Sequence, residues 1–266
     1  MLSDFVIGGI SGVISRTMTA PLELYKLQRQ NTFMPGSSIT AVVKREGIRY
    51  LWKGNATNCI RVFPQVGINY YVYAFINETV VTNINDEKTR RLVAGSIGGA
   101  TSMILTYPLE TIRSRLSLQM NKSHYKGLYH ALQCIPPREM FQGMTLSILG
   151  YAPFTAISFT TYFSYKDYLQ VNTKLDSDIV KILAGGTSGL TSIMITYPTD
   201  LIRRRLQLQN FDKNVPKYSG IIDCAKKIIK IDGYRGLYRG LFATCVKIVP
   251  TIAIQFFVLE RLKSIN

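Results

Sequence analysis

Three times along this chain a proline is followed, at fixed offsets, by an acid and then a base. The copies are Pro21-Leu22-Glu23-Leu24-Tyr25-Lys26, Pro108-Leu109-Glu110-Thr111-Ile112-Arg113 and Pro198-Thr199-Asp200-Leu201-Ile202-Arg203. The prolines stand 87 and 90 residues apart, so three units fill the 266 residues. A fixed period constrains a fold more than any lone motif, because each unit must offer its neighbours the same faces. The chain therefore reads as one domain, 1–266, made of repeats 1–86, 87–176 and 177–266.

Other positions keep the same register. Gly8 and Gly12, Gly95 and Gly99, and Gly185 and Gly189 form a GxxxG pair ahead of each proline. Such pairs predict close helix approach in a membrane. An aromatic-x-glycine triplet follows each proline segment: Trp52-Lys53-Gly54, Phe141-Gln142-Gly143 and Tyr238-Arg239-Gly240. A second apolar run comes after it, containing Pro64, Pro153 or Pro250. The pattern predicts six long helices over 4–32, 55–81, 87–120, 143–169, 177–209 and 241–264. Short helices are expected near 37–46, 128–135 and 219–231. From Gly127 to Gly143 is 16 residues, against 20 from Gly220 to Gly240, and Pro136-Pro137 falls in the shorter stretch. The middle short helix is therefore expected to be truncated.

Composition sets the medium. The chain is 47% hydrophobic with a net charge of +16 and a mean hydropathy of +0.10. That is too apolar for a disordered basic chain and too polar for a bundle facing lipid on every side. Helices with one lipid face and one wet face satisfy both limits. The charge alone fits nucleic acid, anionic lipid or an anionic solute equally. A nucleic-acid-binding helical repeat would not carry uncharged runs such as Ile248 to Leu259, which argues against it. The first apolar run begins close to Met1, so the expectation is an address inside the chain rather than a cleaved transit peptide.

Other chemistry finds little support. Cys59, Cys134, Cys224 and Cys245 are scattered, and His124 and His130 are the only histidines, so neither a metal site nor a disulfide framework is expected. There is no phosphate-binding GxxxxGK[ST] loop and no nucleophile–base–acid set, so the reading is not an enzyme and no cofactor is implied. A receptor or scaffold built on the same repeat is a reading that the residues leave open.

The repeated Pro-x-[Asp/Glu]-x-x-[Lys/Arg] element resembles the mitochondrial carrier family over the whole chain. The resemblance implies an all-α membrane protein of the mitochondrial inner membrane, with six transmembrane helices in three pseudo-threefold repeats and short matrix helices. It also implies a single central site, alternating access and termini on the side away from the matrix. A monomer is expected.

The resemblance assigns a matrix gate of three ion pairs, Glu23 with Arg113, Glu110 with Arg203 and Asp200 with Lys26. Acid and base three apart share one helix face, which suits a ring of converging helices and equally suits solvated pairs within each helix. Gln30 and Gln207 fall where the family places a bracing glutamine, and Ser117 takes the middle repeat's place. The family's opposite gate departs from its pattern here. Its places read Tyr73-Ala74-x-x-Asn77, Tyr162-Phe163-x-x-Lys166 and Leu259-Glu260-x-x-Lys263. Only Lys166, Glu260 and Lys263 remain charged, no full pair survives, and the expected resting form opens to the cytoplasm.

Family solute contacts map to Arg61, Gly150 with Tyr151, and Lys247, and Arg16 adds a cation on the first helix. Two fixed cations and a small-plus-aromatic pocket describe a ligand with phosphates at one end and a flat ring at the other. Tyr151 reads either as a stacking surface or as a core or lipid-facing tyrosine. Arg61 and Lys247 read either as pathway cations or as snorkelling side chains. The branch most resembled moves adenine nucleotides, ATP-Mg/phosphate or coenzyme A by exchange, with another anionic cofactor such as thiamine pyrophosphate as the alternative. No EF-hand loop accompanies it. The turns at Gly54, Gly143 and Gly240 are where the family binds cardiolipin, and amides at a helix start suit a lipid phosphate.

Overall fold

The computed structural model describes residues 2–31, 39–79, 86–119, 124–211 and 215–263, and among them there is no strand. The first repeat contains α1 (Leu2–Met18), α2 (Ala20–Gln30), α3 (Ile39–Glu46) and α4 (Asn55–Thr79). The second contains α5 (Glu87–Leu118), α6 (Leu128–Cys134), α7 (Pro137–Met140) and α8 (Met144–Asn172). The third contains α9 (Ser177–Leu208), α10 (Ile221–Asp232) and α11 (Leu241–Lys263). The middle short helix, α6, has 7 residues against 12 in α10, and stops just before Pro136-Pro137.

Six long spans close into a ring. Around it, α1 packs on α4, α4 on α5, α5 on α8, α8 on α9, α9 on α11 and α11 on α1. The segments after the repeated prolines also meet across the axis, α2 with α5, α5 with α9 and α9 with α2. Burial is concentrated at this convergent end. Each short helix tucks beneath its own odd span, as Val42 does under Leu24, with Tyr50 from the turn after α3, and as Cys224 and Ile228 do under Ile202 and Leu206. A further cluster, Leu27, Leu118, Leu208 and Phe211, joins all three repeats.

The outer surface is apolar. Val6, Ile10, Ile14 and Met18 recur every fourth residue on α1 and are all exposed, which is the lipid-facing stripe of a membrane helix. Thr89–Leu118, Ser177–Leu208 and Tyr234–Leu262 are long and apolar enough to cross a membrane on length and composition alone. The molecule is an all-α membrane protein.

Two expectations need correcting. The first span is not one helix over 4–32: it breaks at Thr19, between α1 and α2. Pro21 has no N–H, which frees the carbonyl of Thr17, and the Trp52 indole Nε1 donates to that carbonyl at 2.9 Å. In α5 and α9 the helix runs through Pro108 and Pro198. There the tyrosine before each proline ties the helix to the following turn, Tyr107 Oη donating to Gln142 O and Tyr197 Oη to Arg239 O, both at 2.9 Å. Ala20 holds that place in the first repeat and cannot do so. The GxxxG expectation also fails at Gly8, Gly95, Gly185 and Gly189, where a Cβ would meet open space. The tight backbone approach is one register away, at Gly98, where a Cβ would lie 2.9 Å from the carbonyl oxygen of Asn69 on α4.

Candidate functional site

Where α2, α5 and α9 converge, their charged side chains pair across helices. Arg113 Nη2 reaches Glu23 Oε1 at 2.8 Å, Lys26 Nζ lies 3.4 Å from Asp200 Oδ2, and Arg203 binds the Glu110 carboxylate. Among the described residues, none of the six forms its ion pair with the charged residue three positions along its own helix. The i,i+3 reading is therefore not the arrangement present. Gln30 Nε2 donates to Asp200 Oδ2 at 3.3 Å and to Tyr197 Oη at 3.1 Å, so it sits against the Lys26–Asp200 pair. Gln207 Oε1 accepts from Arg204 Nη1 at 3.1 Å. Ser117 holds the third place, where its carbonyl accepts from Tyr50 Oη.

The ring carries more cations than the motif predicts. Arg204 Nη2 lies 3.1 Å from Glu110 and its Nη1 donates to Ser114 Oγ at 2.9 Å. Sequence reasoning missed Arg204, although the run Arg203-Arg204-Arg205 beside the ring is a visible signal that more than one long side chain reaches inward. Arg61 from α4 lies 3.6 Å from the same carboxylate, and Lys247 from α11 binds Glu23. Both residues are thus turned towards the axis, against the snorkelling reading.

Beside the ring lies a cavity of about 250 Å³, whose lining includes Lys26, Asp200, Arg203 and Lys247 together with Gly150, Tyr151 and Phe154. The structure therefore brings Gly150, Tyr151 and Lys247 together, and leaves Arg16 and Arg61 outside this lining. Arg16 is half-buried, within electrostatic reach of Glu23, Arg113 and Glu110, and its Nη1 has no hydrogen-bond partner. Tyr151 lies over Gly99 of α5, a position with no room for a side chain, so its ring spans from α8 to α5 across the cavity wall. It is not a lipid-facing tyrosine.

The pattern of the family described as mitochondrial carrier protein matches residues 1–83, 85–173 and 176–265. The chain is a mitochondrial carrier. It is similar to mitochondrial substrate carrier family protein A of Dictyostelium discoideum, at 34% identity over 97% of this chain and 83% of that protein. It is 31% identical to the mitochondrial adenine nucleotide transporter ADNT1 of Arabidopsis thaliana, over 97% of this chain and 85% of that one. Solute carrier family 25 member 16 of Homo sapiens matches at 32%, over 99% and 88%. The carrier is a multi-pass protein of the mitochondrial inner membrane, a transporter and not an enzyme.

The carrier's other end is built differently. Lys166 is half-buried and Glu260 exposed, and neither forms an ion pair among the described residues. The side chain of Lys263 lies outside the described residues. Phe163 is instead in aromatic contact with Tyr162, ring centroids 5.4 Å apart. At the convergent end, Gly54, Gly143 and Gly240 have φ of +82°, +82° and +86°, a conformation that favours glycine. Each abuts the next repeat's odd span: Gly54 faces Arg113 and Ser117, Gly143 faces Arg203, and Gly240 faces Gln30. Lys53, outside the membrane spans, donates to Gln119 O at 2.9 Å beyond the end of α5, and burial lowers its pKa.

Proposed function

We propose that the carrier exchanges a nucleotide-like phosphorylated anion across the inner membrane by alternating access, and that the structure is the form closed towards the matrix. The solute class is adenine nucleotide, ATP-Mg/phosphate or coenzyme A. One observation carries this reading: the central charges do not balance. Lys26, Arg113 and Arg203 of the ring, together with Arg16, Arg61, Arg204 and Lys247, exceed the carboxylates of Glu23, Glu110 and Asp200 by four. A polyphosphate supplies that missing negative charge, and the wall formed by Gly150, Tyr151 and Phe154 suits a flat ring. The Arabidopsis relative, named as an adenine nucleotide transporter, points the same way.

The shared carboxylates give binding a way to act on the gate. Lys247 is held by Glu23 and Arg61 by Glu110, and those two carboxylates also hold Arg113 and Arg203. Phosphate oxygens that take over Lys247 and Arg61 loosen the geometry of both ring pairs. Breaking one desolvated pair costs about 3–5 kcal/mol. Moving a two-state equilibrium from 1:99 to 99:1 takes about 5.5 kcal/mol, so one or two pairs suffice as a gate. Gln30 and Gln207 brace it. The turns at Gly54, Gly143 and Gly240 take cardiolipin phosphate, and the working unit is a monomer.

Reconstitution into liposomes tests this. Vesicles loaded with ATP, ADP, coenzyme A or thiamine pyrophosphate should exchange a nucleotide-like member of the panel. Arg61→Ala and Lys247→Ala should each cut that exchange at least about tenfold, the effect of losing roughly 1.4 kcal/mol of binding. Uptake left intact by both substitutions would remove them from the site, and exchange of thiamine pyrophosphate alone would replace the solute class.

A further inference from the structure

Directly after the three repeated prolines stand Leu22, Leu109 and Thr199, so at this position the third repeat alone carries a hydroxyl. Thr199 lines the central cavity together with Gly150, Tyr151 and Phe154. Its Oγ1 lies 3.0 Å from where a side chain on Gly150 would begin, nearer than any other atom outside α8. The oxygen therefore sits at the strip of wall that this glycine leaves bare, beside the surface that suits a flat ring.

A threonine hydroxyl has one proton to give and two lone pairs with which to receive. Thr199 Oγ1 gives its proton to Thr196 O at 2.7 Å, three residues back on α9. Thr196 Oγ1 donates to Ser192 O at 2.7 Å, and Thr244 Oγ1 to Gly240 O at 3.0 Å. Ser147 Oγ is turned to Gly143 O and Tyr107 Oη. These four lining hydroxyls spend their protons on the protein and offer the cavity lone pairs. The strong donors of the lining are Lys26, Arg203 and Lys247, cations that suit the anionic end of a solute. The cavity is polarised as a result. The uncharged end of a solute is best met where it brings N–H groups, because a carbonyl there would give up its water to face lone pairs.

We infer that Thr199 is a specificity-determining residue whose Oγ1 accepts a hydrogen bond from the exocyclic amino group of an aminopurine and disfavours the matching oxopurine. The inference rests on the solute reading above and narrows it: the cations hold the phosphates, the Gly150 wall holds the ring, and Thr199 chooses between rings.

Exchange into liposomes tests it on the full-length carrier, with ATP and ITP as the pair of probes. They share ribose and phosphates and differ in an amino or an oxo group on the purine. Wild-type carrier should favour ATP in kcat/KM by about tenfold or more, since a site that bonds one group rejects a ligand lacking it. Thr199→Val keeps the shape without the hydroxyl and should bring the ratio to within about twofold of one, by loss on ATP. Thr199→Ala, a second hydroxyl-free variant, should do the same, whereas Thr199→Ser keeps the oxygen and should keep the preference. A ratio that survives in the hydroxyl-free variants overturns the assignment. So does an equal fall for both nucleotides, which marks a structural role beside Asp200. If wild-type carrier moves ATP and ITP alike, the role of Thr199 falls alone. If it moves thiamine pyrophosphate and neither nucleotide, the solute class falls and takes this inference with it.

Discussion

Glu110 touches Arg203 directly and lies 3.1 Å from Arg204 and 3.6 Å from Arg61, whereas Asp200 has Lys26 at 3.4 Å with Gln30 alongside. The ring is thus symmetric in sequence and unequal in load. Glu110→Gln leaves three guanidiniums facing a neutral amide, so it should destabilise the detergent-solubilised carrier by about 3–5 kcal/mol. Asp200→Asn, at a side chain 31% exposed, should cost clearly less; equal falls in thermal stability would argue against this ranking. The cysteines carry a second expectation, in the short helices outside the membrane. Burial pushes the Cys224 thiol up to about 12 from its ordinary 9. Maleimide at neutral pH should therefore label Cys134 and spare Cys224 until denaturant is added. The folded value is raised, so the stability from burying a protonated thiol is complete below the ordinary thiol value and is lost as pH rises towards 12. Cys224→Ser should flatten that part of the alkaline fall in melting temperature. The three acids and three bases were legible because they recur in register. Arg204 was not, because adjacent helical residues point about 100° apart and only the length of arginine lets both reach one carboxylate.

At the scale of elements, the same proline produces two outcomes, and the difference lies in which carbonyl the nearby aromatic side chain meets. In the first repeat Trp52 satisfies Thr17 O and the helix parts at Thr19; in the others Tyr107 and Tyr197 anchor the turn and the helix stays whole. Trp52→Phe keeps the ring and removes the N–H. It should cost about 0.5–1.5 kcal/mol, the net worth of one hydrogen bond at this exposed place, and lower the melting temperature; an unchanged melting point would mean that water replaces the indole. The helical spans and the short α6 were readable from periodicity and from Pro136-Pro137. The break at Thr19 was not, since it depends on Ala20 and on a tryptophan 35 residues beyond Thr17. Glycine spacing misled for a related reason: the pattern marks small residues without saying which of them face a neighbour. Gly95→Ala meets open space in a helix and should stabilise by about 0.5–1 kcal/mol. Gly98→Ala drives a methyl into the α4 backbone and should destabilise. Thermal shifts of the same sign for the two would contradict that packing.

For the whole molecule, the free-energy difference between the two ends decides where the carrier rests. Closure towards the matrix has three interhelical pairs, extra cations on Glu110 and Glu23, and an apolar cluster of Leu27, Leu118, Leu208 and Phe211 beneath them. On the opposite side, Ala74 stands where the family's pattern has an acid, in the place paired cyclically with Lys166, and Lys166 forms no ion pair among the described residues. With little to hold that end shut, the unliganded population should be mostly cytoplasm-open. An impermeant thiol reagent should reach Gly150→Cys, in the lining of the central cavity, from the cytoplasmic side far faster than from the matrix side. Ala74→Asp restores one acid opposite Lys166. A partly exposed pair is worth about 0–1 kcal/mol, so the ratio of matrix-side to cytoplasmic-side labelling should rise by up to about fivefold. Ala74→Asn, isosteric and uncharged, should leave it where it was. A rise with the amide as large as with the acid would show that side-chain size, not charge, sets the resting state.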